Sequence, residues 1–178
     1  FLIADKDAID WSLIDEAVHI GLSAGASAPE TLVEDVVAAL RQRYHRVSSE
    51  RVLSGPGLAN LYWANSVLDG HERELPAAEV TAGAQAGDHY CLSAVRDFYN
   101  ILATYTGDVA LMMGATGGVF LSGGILPRIP EFLDKGCFRR RFEDKGRFSS
   151  FNAGLPLAII LWLVASFLIP VLWSFTPK

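Results

Sequence analysis

The sequence runs to 178 residues with 20 acidic and 15 basic side chains, a formal net charge of −5, and is long enough for one domain with a buried core. That balance excludes the basic face by which proteins hold nucleic acid, and the one basic run, Arg139 to Arg141, reads as a solvated helix end or turn. Cys91 and Cys137 are far apart and outside any C-x-x-C pattern, which excludes a zinc site or disulfide framework and fits a reducing compartment.

Phe1 to Ala4 and the segment around Ile20 are predicted strands. The opening Phe-Leu-Ile-Ala-Asp is too short and too quickly charged for a signal peptide, and a start at Phe1 reads as a fragment or processed chain, cut near the beginning of a strand. Ser27 to Glu30 has the spacing of a capping box and opens a helix to about Tyr44, with Leu32, Val33, Val36, Val37 and Leu40 as its apolar stripe. A Gly-Pro-Gly turn at Gly55 to Gly57 precedes a second helix over Leu58 to Val67, and Asp69 to Arg73 is a polar loop. Pro76 opens a short helix to about Ala86. A long helix from about Asp88 to Met113 then sets Leu92, Val95, Tyr99, Leu102 and Val109 at helical spacing, as core. Val119 to Leu121 is a short apolar run without alternation between the pairs Gly117-Gly118 and Gly123-Gly124, as in a strand buried on both faces of a parallel or mixed sheet. Pro130 to Lys135 reads as a short helix.

From Ser149 to Pro177 no residue is charged, and Leu155 to Phe175 is almost wholly apolar. About 20 such residues suffice to cross a bilayer, so this stretch is a transmembrane candidate. No internal repeat or low-complexity segment occurs. Long helices around a few buried strands indicate an α/β domain over residues 1–154, followed by the apolar tail 155–178.

Three groups of residues could carry chemistry. The glycine pairs offer backbone N–H groups unobstructed by side chains, and Gly123-Gly124 follows its strand, where open α/β sheets bind ligands; tight turns and close packing would call for the same residues. In Asp15-Glu16-Ala17-Val18-His19, Glu16 and His19 could reach one ligand as acceptor and donor. E-x-x-H is also a metal-ligand spacing, but the second copy that a di-iron bundle needs is missing. Glu50, in Ser48-Ser49-Glu50-Arg51, is either an ordinary acid in a helix's first turn or a carboxylate that grips sugar hydroxyls.

The segments S-S-E-R-V-L-S-G-P-G-L-A-N-L-Y (Ser48 to Tyr62), G-G-V-F-L-S-G-G-I-L-P-R (Gly117 to Arg128) and F-E-D-K-G-R-F (Phe142 to Phe148) closely resemble the bacterial ATP-dependent glucokinases of the hexokinase and actin-like ATPase superfamily. The likeness covers roughly Phe1 to Phe148 and is strongest after Val47. It implies the larger, carboxy-terminal domain of the actin-like ATPase fold, ribonuclease H-like, with a mixed sheet and long helices, here incomplete. It further implies that Glu16, His19 and Glu50 contact glucose, that Gly117, Gly118, Gly123 and Gly124 lie against the adenosine of ATP, and that Mg²⁺ accompanies the nucleotide. Where the family has two glycines after the first glutamate, this chain has Ala17 and Val18, and a β-branched residue cannot take backbone angles open to glycine. A homodimer in the cytoplasm is the family's usual state.

The family's general-base aspartate sits in an N-D-F segment, and its phosphate loops read D-x-G-G-T-N and G-T-G-L-G; none of these occurs in residues 1–178. The expectation is therefore a glucokinase portion inactive by itself, with the catalytic aspartate upstream. From Ala158 the apolar run replaces the family's ending, which points to a reading-frame error or fusion junction near Pro156 over a genuine membrane anchor. The competing function is a non-catalytic sugar-binding or regulatory protein, tethered through Leu155 to Phe175. The superfamily's sugar-responsive repressors carry a DNA-binding helix-turn-helix of which this sequence shows nothing.

Overall fold

The structure, a computed structural model, describes residues 30–159. The predicted strands at Phe1 to Ala4 and Ile20, the Ser27 cap and residues 160–178 of the apolar tail lie outside them. Among the described residues, six α-helices and two strands follow in order: α1 (Glu30–Arg43), α2 (Gly55–Leu68), α3 (Ala77–Gln85), α4 (His89–Met112), β1 (Val119–Leu121), α5 (Lys135–Glu143), α6 (Ser149–Ala153) and β2 (Leu157–Ile159). The arrangement is α/β, as the order of predicted elements implied.

α1 buries a narrower face than its apolar stripe suggested. Val36, Ala39 and Leu40 enter the core, while Val33 and Val37 stay outside it beside Glu34 and Arg41. α2 begins earlier than expected, because Gly55-Pro56-Gly57 is its first turn and not a connection. Ser54 caps it by accepting the Gly57 N–H at 3.0 Å. Pro56 is tolerated there since first-turn N–H groups have no helical acceptor to lose. Gly57 is required for space: a Cβ would lie 2.6 Å from the carbonyl carbon of Val52.

α4 is the central helix, with α2, α3 and α5 packed on it. Asp88 caps it, and its bond from the Cys91 N–H, at 2.9 Å, holds the Asp88 carboxyl below its usual range. Val95 and Tyr99 are buried as expected, but Leu92 is 37% exposed and Leu102 and Val109 are not fully buried. Beside Val95, Phe98 and Tyr99 the core face carries small residues, Ala94, Ala103, Gly107 and Ala110, which let the neighbouring chain approach closely. Cys91 lies on this face with its thiol pushed up to about 12 by burial, and Cys137 sits apart with its Sγ 3.6 Å from Asn100 Oδ1.

β1 and β2 pair in parallel, Val119 opposite Leu157, and α5 and α6 form the crossover that parallel strands need. The expectation of a strand buried on both faces is overturned at Phe120, which is 63% exposed. Among the described residues β1 has one neighbouring strand, and the Phe120 side is uncovered.

The helix expected at Pro130 to Lys135 is a 3-10 turn, Pro130–Phe132, and Lys135 starts α5. Asp134 caps α5 by accepting the Cys137 N–H at 2.8 Å, and Phe138 and Phe142, four apart, point into the core. The reading of Arg139 to Arg141 as a solvated end is also corrected. Arg139 pairs with Glu143 and donates to the carbonyls of Leu155 at 2.8 Å and Ala153 at 2.7 Å, which ties α5 to the end of α6. The apolar run opens inside this fold: Leu155 packs with Ala110 and Phe142, and β2 begins two residues later at Leu157. Among the described residues no helix is long and apolar enough to cross a membrane.

Candidate functional site

Glu50 lies in a 3-10 turn, Ser49–Arg51, one turn of chain before α2. The turn closes through Arg51 N–H to Ser48 O at 2.9 Å and Leu53 N–H to Ser49 O at 2.7 Å. Since Ser54 is the cap of α2, Glu50 stands outside that helix's first turn, and the reading of it as an ordinary first-turn acid of α2 falls. A three-residue turn has no macrodipole worth a carboxylate. The Glu50 side chain is exposed and has no hydrogen-bonding or ionic partner among the described residues. An ionised carboxylate so placed is a free double acceptor, suited to neighbouring hydroxyls.

Glu16 and His19 lie outside the described residues, so of the three expected sugar contacts only Glu50 is described.

The four glycines divide between the two ends of β1. At its start, Gly118 has φ +114, and a Cβ there would lie 2.9 Å from Pro156 O, the acceptor of the Val119 N–H at 2.8 Å. Entry of β1 beside β2 accounts for Gly118 without a ligand. At the carboxyl end, Gly123 has φ +151, a conformation side chains rarely adopt. A Cβ added at Gly123 or Gly124 would meet no atom of the described residues beyond its chain neighbours within 4 Å, and Gly117 is likewise open. Two residues beyond Gly124, Leu126 lines a groove of about 600 Å³ with Tyr99, Leu133, Phe138, Leu157 and Ile159, and Lys135 and Arg139 are among its polar residues. An open backbone turn beside a mostly apolar groove fits a flat, partly apolar ligand. Sequence reasoning missed this groove because α5 and β2, which form much of it, were not foreseen. Among the described residues no group of three His, Cys, Asp or Glu could hold a metal ion.

The chain matches the family model described as Glucokinase over residues 1–168. It belongs to the glucokinase family. Glucokinase of Caulobacter sp. strain K31 is 39% identical over 157 residues, covering 88% of this chain and 46% of that protein. Glucokinase of Chromohalobacter salexigens is 45% identical over 154 residues, covering 85% and 47%. A crystal structure of glucokinase from an Antarctic psychrotroph superposes with a TM-score of 0.69 at 36% identity, covering 82% of this chain and 45% of that one. The chain thus spans about half the length of the curated relatives it matches. The glucokinase likeness also runs past Phe148 and Ala158, where the sequence reading ended it, to residue 168.

Within this glucokinase-family chain the F-E-D-K-G-R-F segment is a clasp. Phe142 is fully buried, and Lys145 reaches α4, donating to Thr104 O at 3.0 Å and pairing with Asp108 at 2.8 Å. Asn152 of α6 donates to Phe142 O at 2.7 Å and to Gly107 O at 3.1 Å. Asp97 is the buried carboxyl of α4: burial pushes its pKa up, against a bond from Asn65 Nδ2 at 2.8 Å and the nearby Arg96 and Arg141. At 3% exposure its side chain is enclosed by the fold.

Proposed function

We propose that this chain carries glucose and adenosine contacts of an ATP-dependent glucokinase, which transfers the γ-phosphoryl group of ATP to the 6-hydroxyl of glucose to give glucose 6-phosphate. The observation that carries the reading is Glu50, a carboxylate without a partner among the described residues, on a fastened turn in the family's S-S-E-R segment. It would accept from sugar hydroxyls, joined by Glu16 and His19 from the D-E-A-V-H segment. Gly123 and Gly124, beyond the carboxyl end of β1, would let adenosine lie on open backbone beside the Leu126 groove, with Gly117 and Gly118 at the strand's other end. The glucokinase neighbour supports the finer fold, the larger domain of an actin-like ATPase with a mixed sheet. A homodimer in the cytoplasm, acting on glucose and ATP without nucleic acid, belongs to the same reading.

Phosphoryl transfer of this kind is mostly positioning and charge stabilisation. Mg²⁺ would come with the ATP phosphates and screen their charge; the described residues offer it no cage. The proton of the 6-hydroxyl needs a base, and the N-D-F segment that carries the family's base does not occur in residues 1–178. Purified residues 1–178, assayed with glucose and MgATP, are therefore expected to bind glucose and form no glucose 6-phosphate. Product formed by this chain alone would overturn the placing of the base elsewhere. Glucose binding untouched by Glu50→Gln would overturn the sugar role.

A further inference from the structure

The turn that carries Glu50 is fastened at two successive carbonyls. Ser54 Oγ donates to Glu50 O at 2.7 Å while it caps α2. Asn60 Nδ2, from the second turn of α2, donates to Arg51 O at 2.9 Å. Because that carbonyl can only accept, the amide must face it with its NH₂ group, leaving Oδ1 for the Tyr44 hydroxyl, which donates to it at 2.9 Å. The Arg51 guanidinium closes over the Tyr44 ring at 4.2 Å, so the backbone and side chain of Arg51 are tied to one Tyr44–Asn60 pair. Asn60 is 8% exposed and spends both halves of its amide on this arrangement.

A lone 3-10 turn has poor hydrogen-bond geometry and would not hold its middle residue in one direction by itself. Sugar recognition demands that direction, since a bidentate acceptor misplaced by about an ångström loses its hydroxyls. We infer that Asn60, backed by Tyr44, is a positioning residue that aims the Glu50 carboxylate at the sugar. The inference rests on the reading of Glu50 as a sugar-hydroxyl ligand. Asn60 acts through Glu50 and touches no substrate itself.

The test is a glucose titration of the ¹⁵N-labelled chain, read at the Arg51, Val52 and Leu53 amides, for the unmodified chain, Glu50→Gln, Asn60→Leu and the double variant. Glu50→Gln and Asn60→Leu are each expected to weaken glucose binding at least about tenfold, and the double variant to match Glu50→Gln within about twofold, because no carboxylate remains to be aimed. Leu53 amide exchange should speed up in Asn60→Leu without glucose. A further tenfold loss on adding Asn60→Leu to Glu50→Gln would show that Asn60 acts on the fold at large, and overturns the inference; so does unchanged glucose binding in Asn60→Leu. If glucose shifts no amide, or Glu50→Gln binds it normally, the sugar reading fails and takes this inference with it. The Leu53 exchange rate tells the two failures apart, since it reports the fastening without glucose. Should Asn60→Leu not fold, Tyr44→Phe removes one oxygen from a half-buried ring, with about threefold weakening and the same non-additivity expected.

Discussion

Two segments that look equally diagnostic in sequence, S-S-E-R at Ser48 to Arg51 and F-E-D-K-G-R-F at Phe142 to Phe148, are built on opposite principles. In the second, the recognisable groups are consumed inside the fold: Phe142 is core, and Lys145 is spent on Asp108 and Thr104 O. In the first, the backbone is fastened at the carbonyls of Glu50 and Arg51, yet the Glu50 carboxylate has no partner among the described residues. A segment that spends its phenylalanine in the core and its lysine on α4 contributes to stability. One that holds a charged group still and leaves it unspent among the described residues is suited to a ligand.

The sharpest way to break this contrast is at the clasp's tightest point. A Cβ at Gly107 would lie 2.4 Å from Phe142 O and 3.0 Å from Asn152 Nδ2, and the first of these is backbone that cannot swing aside. Gly107→Ala is expected to cost about 3 kcal/mol of stability by chemical denaturation, the upper part of the range for overpacking. A loss under about 1 kcal/mol would mean that the clasp is loose and its residues free for another role.

Two carboxylates give a finer comparison. Burial raises the folded-state pKa of Asp97 above its unfolded value, so its contribution is fully present below about pH 4, near the ordinary carboxylate pKa, and is lost as pH rises through the folded value. Asp97→Asn keeps an acceptor for Asn65 and removes the buried charge, so its denaturation midpoint should exceed that of the unmodified chain at about pH 7, with the gain vanishing below about pH 4. A gain that grows as pH falls would refute the sign. Glu50→Gln, at the other extreme, should shift stability by less than about 0.5 kcal/mol at either pH while it weakens glucose binding, as an exposed group without a partner among the described residues allows. A clear loss of stability there would move Glu50 into the structural class with Lys145.

Much of the fold was legible because local signals and tertiary demands agree. Asp88 announced the start of α4, Pro76 that of α3, and the glycine pairs bracketed β1, each through backbone chemistry that acts within a few residues. α5 and β2 were not read. α5 is short and crowded with arginines, one of which, Arg139, finds its partners in carbonyls elsewhere in the chain, and the three residues of β2 were absorbed into a longer apolar run.

By itself the sequence determined the order of α1 to α4, the α/β class and, through three long segments, the glucokinase family, since these depend on residue identity and short-range spacing. Only the tertiary structure decided which of those segments is spent internally and which is held open. It placed Asn60 of α2 and Tyr44 behind the Glu50 turn and drew Gly107 of α4 against Phe142. It also set Gly118 against Pro156 and left Gly123 facing open space among the described residues. Such pairings join residues far apart along the chain, and whether a polar group finds a partner is a property of the packed whole.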